Sequence, residues 1–433
     1  MHGHGARPRH AAVPVGRRQG ALEGLGMSAA APLTRCPVCR GTDLQALVRL
    51  PGVPLFCHML VRSAEEALAV PRGDIDLAGC RTCGHVFNRA FDAELLRYGG
   101  AYENSLHFSR HYQSYAEETA DRLIARYGLA GRTVLEIGCG RGDFLRLLCG
   151  RGGNRGLGFD PSHVPAPGNA EPGDPTILAR PFTAADLRPA HLVASRHVLE
   201  HLSDPTELLA LIREAAAMAE GGAVFIEVPN GLYTLDQGGI WDLIYEHVSY
   251  FTPASLAAAM SDAGLAVRQM DSAFGGQFLW VEAVPAEEAP IPAAGTEMAG
   301  RFAAFPRRFA ATLGHWRSVV AEAVARGERL ALWGGGSKGV TFLNLLGLRA
   351  GEGVDWVVDI NPRKAGAFVP GTGQPIVPPE RLRALKPDHV VIMNPEYRRE
   401  IAAQLAALGL DCPVLVVADL DMEPETAVFD DAV

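Results

Sequence analysis

Two acids in the middle of this chain each close a short apolar run. Val134-Leu135-Glu136-Ile137 leads straight into Gly138-Cys139-Gly140-Arg141-Gly142, and Gly158-Phe159-Asp160 follows further on. Glycines in such a turn let the backbone pass close under a ligand, where a Cβ would collide with it. In nucleotide-binding α/β folds the ligand lies at this strand-to-helix turn, and an acid ending the next strand can accept both hydroxyls of a ribose. NAD would need that second acid as much as S-adenosylmethionine would. Glu136 discriminates between them, because a carboxylate in the turn would repel a pyrophosphate but bind the cationic amino-acid end of S-adenosylmethionine. The pattern favours S-adenosylmethionine, held by Glu136, Gly138, Gly140 and Asp160. The alternative is a glycine-rich turn that binds nothing.

Two histidine-bearing segments add acid–base chemistry. Arg196-His197-Val198-Leu199-Glu200-His201-Leu202 follows the fourth strand candidate, at the carboxyl edge of the sheet where such folds place ligands. His197 is assigned to the cofactor and His201 to the reaction. Trp241 to Phe251 sets a phenol, a carboxylate and an imidazole side by side as Tyr245, Glu246 and His247, between apolar anchors. Proton abstraction needs a base that titrates near neutrality, which histidine supplies, and an acid to orient it. Successive residues on a helix do not face each other, so Glu246 has the alternative of pairing elsewhere. Each histidine has the alternative of a satisfied buried imidazole.

The third group is metal-binding. Cys36 and Cys39 form one C-x-x-C and Cys80 and Cys83 another, while Cys57, Cys139, Cys149 and Cys412 stand alone. Two short-spaced pairs supply four thiolates for a tetrahedral ion, and zinc suits them because it is borderline-soft and indifferent to d-electron geometry. A disulfide would require an oxidising compartment, and a redox C-x-x-C would sit beside a βαβ pattern. With four sulfurs the ion has no open position, so it would hold the fold together without doing chemistry.

These groups need elements to carry them. Tyr112 to Tyr127 has the pattern of an amphipathic helix, Thr133–Ile137 reads as a strand, and a helix follows through Leu148. Gly156–Phe159, His191–Ser195, Ala223–Val228 and Phe278–Ala283 are further strand candidates. Strands separated by helices predict an α/β fold with a doubly wound, mainly parallel sheet. A second α/β unit begins with the helical stretch Phe302–Arg326, after a linker at Pro285–Gly295 rich in Pro, Ala and Glu. Its strands are Arg329–Trp333, Val354–Asp359, Val390–Met393 and Val414–Val417, with a helix ending at Leu346. The turn Gly334-x-Gly336-x-x-Gly339 fits the dinucleotide fingerprint, Asp359 ends the next strand, and Lys338 would favour a phosphate. An occupied NAD site and a tight turn in a Rossmann-like accessory domain both fit. The predicted organisation is a leader over 1–32, a zinc-binding module over 33–95, and a methyltransferase core over 96–290. A Rossmann-like substrate-assisting domain then covers 300–422, and a tail covers 423–433.

Composition narrows the function classes. A 433-residue chain with 48% hydrophobic and 21% charged residues can bury sizeable cores, which excludes global disorder. Its net charge of −9 and lack of a long basic run exclude the usual footprint of a nucleic-acid binder. No run of eighteen apolar residues predicts a membrane-spanning helix. Residues 1–26 lack the apolar core of a secretory signal, so the expected location is the cytoplasm.

A four-cysteine module, a glycine-loop core and a second Rossmann-like unit, in this order, resemble the nucleotide-sugar C-methyltransferases of deoxysugar pathways. Members of that family methylate C3 of a TDP-linked 4-keto sugar. The resemblance runs from Cys36 to Leu420 and is carried most specifically by Cys80-Arg81-Thr82-Cys83-Gly84, by Trp241 to Phe251, and by Gly334-Gly335-Gly336-Ser337-Lys338-Gly339. Val358-Asp359-Ile360-Asn361-Pro362 and Pro370-Gly371-Thr372 also match. The resemblance implies Cys36, Cys39, Cys80 and Cys83 as zinc ligands, and an active-site tyrosine at Tyr102. It implies a histidine after the fourth strand at His201, and a catalytic Glu-His pair at Glu246 and His247. It also implies that the C-terminal domain assists substrate binding, through Lys338 and Asp359, and does not hold NAD. Two departures fall near the acceptor. Tyr245-Glu246-His247 is one residue shorter than the family's Tyr-His-Glu-His, and the pattern around Tyr102 is altered.

The implied reaction is methylation of a carbon beside a ketone. His247 takes the α-proton, and Tyr102, Tyr245 or His201 donates to the enolate oxygen. Two rival readings are an O- or N-methyltransferase of a related sugar or natural product, and a non-catalytic zinc-bearing binding protein.

Overall fold

The computed structural model describes residues 32–96, 102–165, 173–287 and 297–418. The predicted tail, nearly all of the leader and most of the linker fall outside the described residues. The chain opens with a small antiparallel sheet: β1 (Leu44–Pro54) pairs β2 (Arg72–Cys80), and β2 pairs β3 (Val86–Asn88). The short helix α1 (Ala64–Leu68) lies between β1 and β2, capped by the Ser63 side chain.

The next helix, α2 (Arg110–Tyr127), buries Tyr112, Ala116, Thr119, Ala120 and Leu123, the three-to-four spacing of one helical face. Ser109 caps its start and Gly128, in the left-handed region, ends it. A seven-stranded sheet follows, built from β4 (Thr133–Ile137), β5 (Arg155–Phe159), β6 (Thr176–Leu178), β7 (Leu192–Arg196) and β8 (Ala223–Pro229). Helices α3 (Asp143–Gly152), α4 (Pro205–Ala217) and α5 (Gly231–Asp236) fall between or after these strands. The chain then gives two residues, β9 (Ser249–Tyr250), to the edge of the first sheet beside β3. After α6 (Pro253–Asp262) it returns as β10 (Leu265–Ala273) and β11 (Phe278–Pro285). The sheet order is β10-β11-β8-β7-β4-β5-β6, with β11 antiparallel to both its neighbours and the others parallel. The order reverses between β4 and β7, which is where a doubly wound sheet opens a ligand crevice.

Helix α7 (Glu297–Ala325) buries Met298, Phe302, Phe305, Phe309, Thr312, Trp316 and Val320 as one stripe. It packs on β1, α5 and α8 (Ser337–Leu346), tying the first sheet to the last domain. That domain is a five-stranded parallel sheet of β12 (Leu330–Trp333), β13 (Val354–Val358), β14 (Ile376–Val377), β15 (His389–Ile392) and β16 (Val414–Val416), in the order β14-β13-β12-β15-β16. Helices α9 (Leu382–Leu385) and α10 (Arg398–Ala407) complete it.

The predicted α/β class holds, and so does each strand named from the sequence, within a residue or two. Among the described residues, seven strands have no counterpart in the sequence reading: β1, β2, β3, β9 and β14, and two in the seven-stranded sheet, β6 and β10. β6 is three residues long, and β10 is largely exposed, with a polar Arg268-Gln269 centre that gives no clean alternation. No helix among the described residues is long and apolar enough to cross a membrane.

Candidate active site

A cleft of about 800 Å³ opens between the carboxyl ends of the two parallel sheets. The seven-stranded sheet brings Glu136 to Asp143, Asp160 and the segment from Arg196 to Leu202 to it; the five-stranded sheet brings Trp333 to Gly339, Asp359 and Met393. His58, Tyr102 and His247 complete the wall.

The loop after β4 is built for close approach. Gly138 has φ 72°, and a Cβ there would lie 2.0 Å from Val198 Cγ2, so no side chain fits. Asp160, at the end of β5, ties the loop down. Its Oδ2 accepts from Gly140 N at 2.7 Å, and its Oδ1 accepts from Ser162 N and Oγ at 2.7 and 2.6 Å. Glu136 is buried and its Oε2 has no hydrogen-bond partner. Burial pushes its carboxyl up to about 8. An orphaned carboxylate oxygen beside a loop that excludes side chains fits the ammonium of S-adenosylmethionine, which would satisfy it.

This makes binding pH-dependent. Glu136 titrates above its unfolded value, so the free protein loses stability as pH rises from the ordinary carboxylate range to about 8. A ligand ammonium that needs the ionised form should therefore gain affinity over the same rise. We expect S-adenosylmethionine to bind roughly tenfold tighter per pH unit between 6 and 7.5. Glu136→Gln should bind about tenfold or more weakly with little pH dependence. Calorimetric titration checks both, and a flat wild-type response would take Glu136 out of the cofactor site.

Beneath this loop lies a buried charge network that the sequence did not reveal. Arg196 donates to Glu227 Oε1 at 2.7 Å and to Tyr112 Oη at 3.1 Å, and Tyr115 also donates to Glu227. His197 takes a left-handed φ of 55°, rare for a residue with a Cβ, and its Nε2 lies 3.2 Å from Glu227 Oε1. Burial alone would depress this imidazole, but the carboxylates of Glu200 and Glu227 outweigh it and hold His197 up at about 9. His197 thus lines the cleft beside two carboxylates.

His201 and His247 meet edge to face, their ring centroids 4.9 Å apart. His201 Nδ1 lies 2.9 Å from the carbonyl oxygen of Glu246; donation there puts the ring's lone pair on Nε2. His247 Nδ1 is buried without a hydrogen-bond partner, and burial holds the imidazole well below its ordinary range, so it stays neutral. Glu246 does not orient His247 as the sequence suggested. Its carboxylate turns behind the cleft wall, where Oε2 accepts from Cys57 N at 2.7 Å and Tyr102 hydrogen-bonds the group. The segment is a turn, so adjacent side chains project in different directions. Tyr102 reaches the cleft, its ring 5.4 Å from that of His58.

Tyr245 does not reach it. Its hydroxyl accepts from Asp92 N at 3.0 Å and its ring packs on Phe91, in the core shared with the first sheet. Tyr245 is therefore structural and no donor to a cleft ligand.

The C-terminal glycine loop is held by its own domain. Asp359 Oδ2 accepts from Gly335 N at 3.0 Å and from Lys364 Nζ at 3.1 Å, so Asp359 fastens the loop from the cleft wall. Lys338 meets Asp242, at 2.5 and 2.6 Å from its two oxygens, and so joins the two α/β units. A second joint was not foreseen: buried Glu103 takes Arg141 from the glycine loop after β4 at 3.3 Å and Arg363 from the C-terminal domain at 3.2 Å.

The four cysteines converge away from the cleft. Their sulfurs lie within 4.8 Å of one another, with Cys36–Cys83 at 3.6 Å and Cys39–Cys80 at 3.5 Å. A tetrahedral ion with ~2.3 Å bonds separates its sulfurs by about 3.8 Å, so the set fits zinc. Each pair sits on a tight knuckle, marked by Cys36 N donating to Gly41 O and Gly84 N to Cys80 O.

The family described as "Methyltransferase domain" matches residues 110–270, and the "C-methyltransferase C-terminal domain" matches residues 279–417. The C-methyltransferase NovU of Streptomyces niveus is 27% identical over 395 residues, covering 86% of this chain and 91% of its own length. Among solved structures, the magnesium protoporphyrin IX methyltransferase of Synechocystis PCC 6803 with bound SAH is 21% identical, over 41% of this chain and 84% of its own, at a TM-score of 0.31. An S-adenosylmethionine-dependent methyltransferase of Clostridium acetobutylicum is 8% identical, over 40% and 92%, at a TM-score of 0.30.

Proposed function

We propose that this S-adenosylmethionine-dependent methyltransferase, which is similar to the C-methyltransferases, methylates the carbon beside a ketone on a nucleotide-linked keto-deoxysugar in the cytoplasm. One observation carries the reading. A single cleft joins the acid-ended glycine loop around Glu136, the imidazole pair His201–His247, and the C-terminal glycine loop. A carbon acceptor needs a base beside the cofactor, which a simple oxygen or amine acceptor needs less.

His247, kept neutral by burial, accepts the α-proton. The C–H bond breaks, its electron pair stays on the acceptor as an enolate, and an N–H bond forms on the ring. Tyr102 donates to the enolate oxygen, and His201, its Nδ1 proton held by the Glu246 carbonyl, orients the acceptor. Bound S-adenosylmethionine supplies an electrophilic sulfonium methyl that leaves behind a neutral thioether. Glu136 and the glycine loop hold the cofactor end, and Lys338 and Asp359 shape the substrate end, so that positioning supplies much of the acceleration. Zinc, held by Cys36, Cys39, Cys80 and Cys83, is structural.

Incubation with S-adenosylmethionine and a panel of TDP-4-keto sugars, followed by NMR of the products, tests the reading. A new C–CH₃ group beside the ketone is the expected product. Methyl on oxygen or nitrogen would replace the reading by its nearest rival, and cofactor binding without turnover on any acceptor would favour a binding protein.

A further inference from the structure

Glu200 is 1% exposed, lines the cleft, and makes no hydrogen bond through either carboxylate oxygen. Its one ion-pair contact among the described residues, to His197 Nδ1, is 3.6 Å long, and His197 is shared with Glu227. A buried carboxylate left this way is costly unless something cationic meets it during the working cycle. Ligating atoms of Glu200, His201 and His247 lie within 4.8 Å of one another, and His247 Nδ1 is orphaned as well. Glu246, the acid next in sequence to His247, is engaged with Cys57 and Tyr102.

We propose that Glu200 is the carboxylate partner of the His201–His247 pair, a positioning residue that faces the imidazolium formed when His247 takes the acceptor's proton. The proposal rests on the carbon-methylation reading. When the proton arrives, the ring gains a positive charge, and Glu200 supplies the negative one beside it. Burial weighs most against a charged His247, and His201, His197, His58 and Lys338 act in the same direction, so a counter-ion beside the ring strengthens the base. Glu246 contributes from behind the wall, through His201. A divalent ion bound by the same three residues would also satisfy these atoms. It would, however, occupy the lone pair that His247 needs to accept a proton.

The test uses the full-length protein, wild type and Glu200→Gln, with ¹³Cε1-labelled histidine and lines assigned through His201→Gln and His247→Gln. In Glu200→Gln the first protonation of the pair should move down by about one pH unit, with zinc content unchanged. Deuterium exchange into a TDP-4-keto-6-deoxyhexose should fall about tenfold or more, its acid limb shifted the same way, and Glu200→Asp should recover part of both. An unmoved imidazole titration overturns the proposal even where turnover falls. A second divalent ion per chain, beyond the one at the cysteines and lost in Glu200→Gln, overturns it in favour of a metal site. Absence of exchange in the wild type, with the titration shift intact, defeats the carbon-methylation reading and leaves the Glu200 pairing standing.

Discussion

Replacing His247 by Ala should lower turnover by roughly 10²–10⁴-fold, the range for loss of a general base, while leaving S-adenosylmethionine affinity nearly unchanged. The separation follows from the elements. The residues proposed to hold the cofactor, Glu136, Gly138, Gly140 and Asp160, hang from the ends of β4 and β5, whereas His247 lies on the turn before β9. His201→Ala should be milder if the ring only orients the acceptor, since its Nδ1 proton is held by the Glu246 carbonyl and the enolate donor, Tyr102, lines the same cleft. Solvent exchange reads the role directly. With S-adenosylhomocysteine bound, the wild type should wash deuterium into the carbon beside the ketone and His247→Ala should not. Exchange that survives in His247→Ala and vanishes in His201→Ala or Tyr102→Phe would move the base to that residue.

Purified protein should carry one zinc per chain, and Cys36→Ser or Cys80→Ser should release it and yield insoluble protein. Structural zinc contributes on the order of 10–16 kcal/mol in apparent binding free energy, comparable with the whole stability of a domain, about 5–15 kcal/mol. The damage should spread to the cleft. Cys36, Cys80 and Cys83 are buried in one cluster with Phe87, Leu199 and Phe251, and β9, which pairs with β3, begins two residues after His247. Metal analysis by mass spectrometry and a thermal melt of each variant check this. Metal-free protein of full stability would remove zinc from the account.

Contiguous patterns were legible because their physics is local. The run Val134 to Gly142 had to be a buried strand ending in a glycine-spaced turn, and the structure puts it there with Glu136 buried near the strand's end. The C-x-x-C pairs were legible for the same reason: two residues of spacing decide whether two sulfurs can face one ion. Helix α2 could be read from the spacing of its apolar face.

The partners of the proposed catalytic groups were not legible. Adjacency suggested that Glu246 serves His247 and that Tyr245 faces the acceptor. Yet the segment folds as a turn between an inserted strand edge and the core, so Glu246 points to Cys57, Tyr245 to Asp92, and His247 alone of the three lines the cleft. Lys338 and Asp359 read as ligand contacts, but only the docking of the two sheets shows Lys338 meeting Asp242 and Asp359 fastening its own glycine loop. Glu103 between Arg141 and Arg363, and Glu200 beside two imidazoles, join residues far apart in the chain. By itself, then, the sequence determined the strand-end acids, the glycine turns and the cysteine pairs, since each depends on neighbours within a few residues. Which charge meets which imidazole was decided by tertiary structure, because side-chain direction in a turn and the meeting of two sheet edges depend on long-range packing that no local spacing encodes.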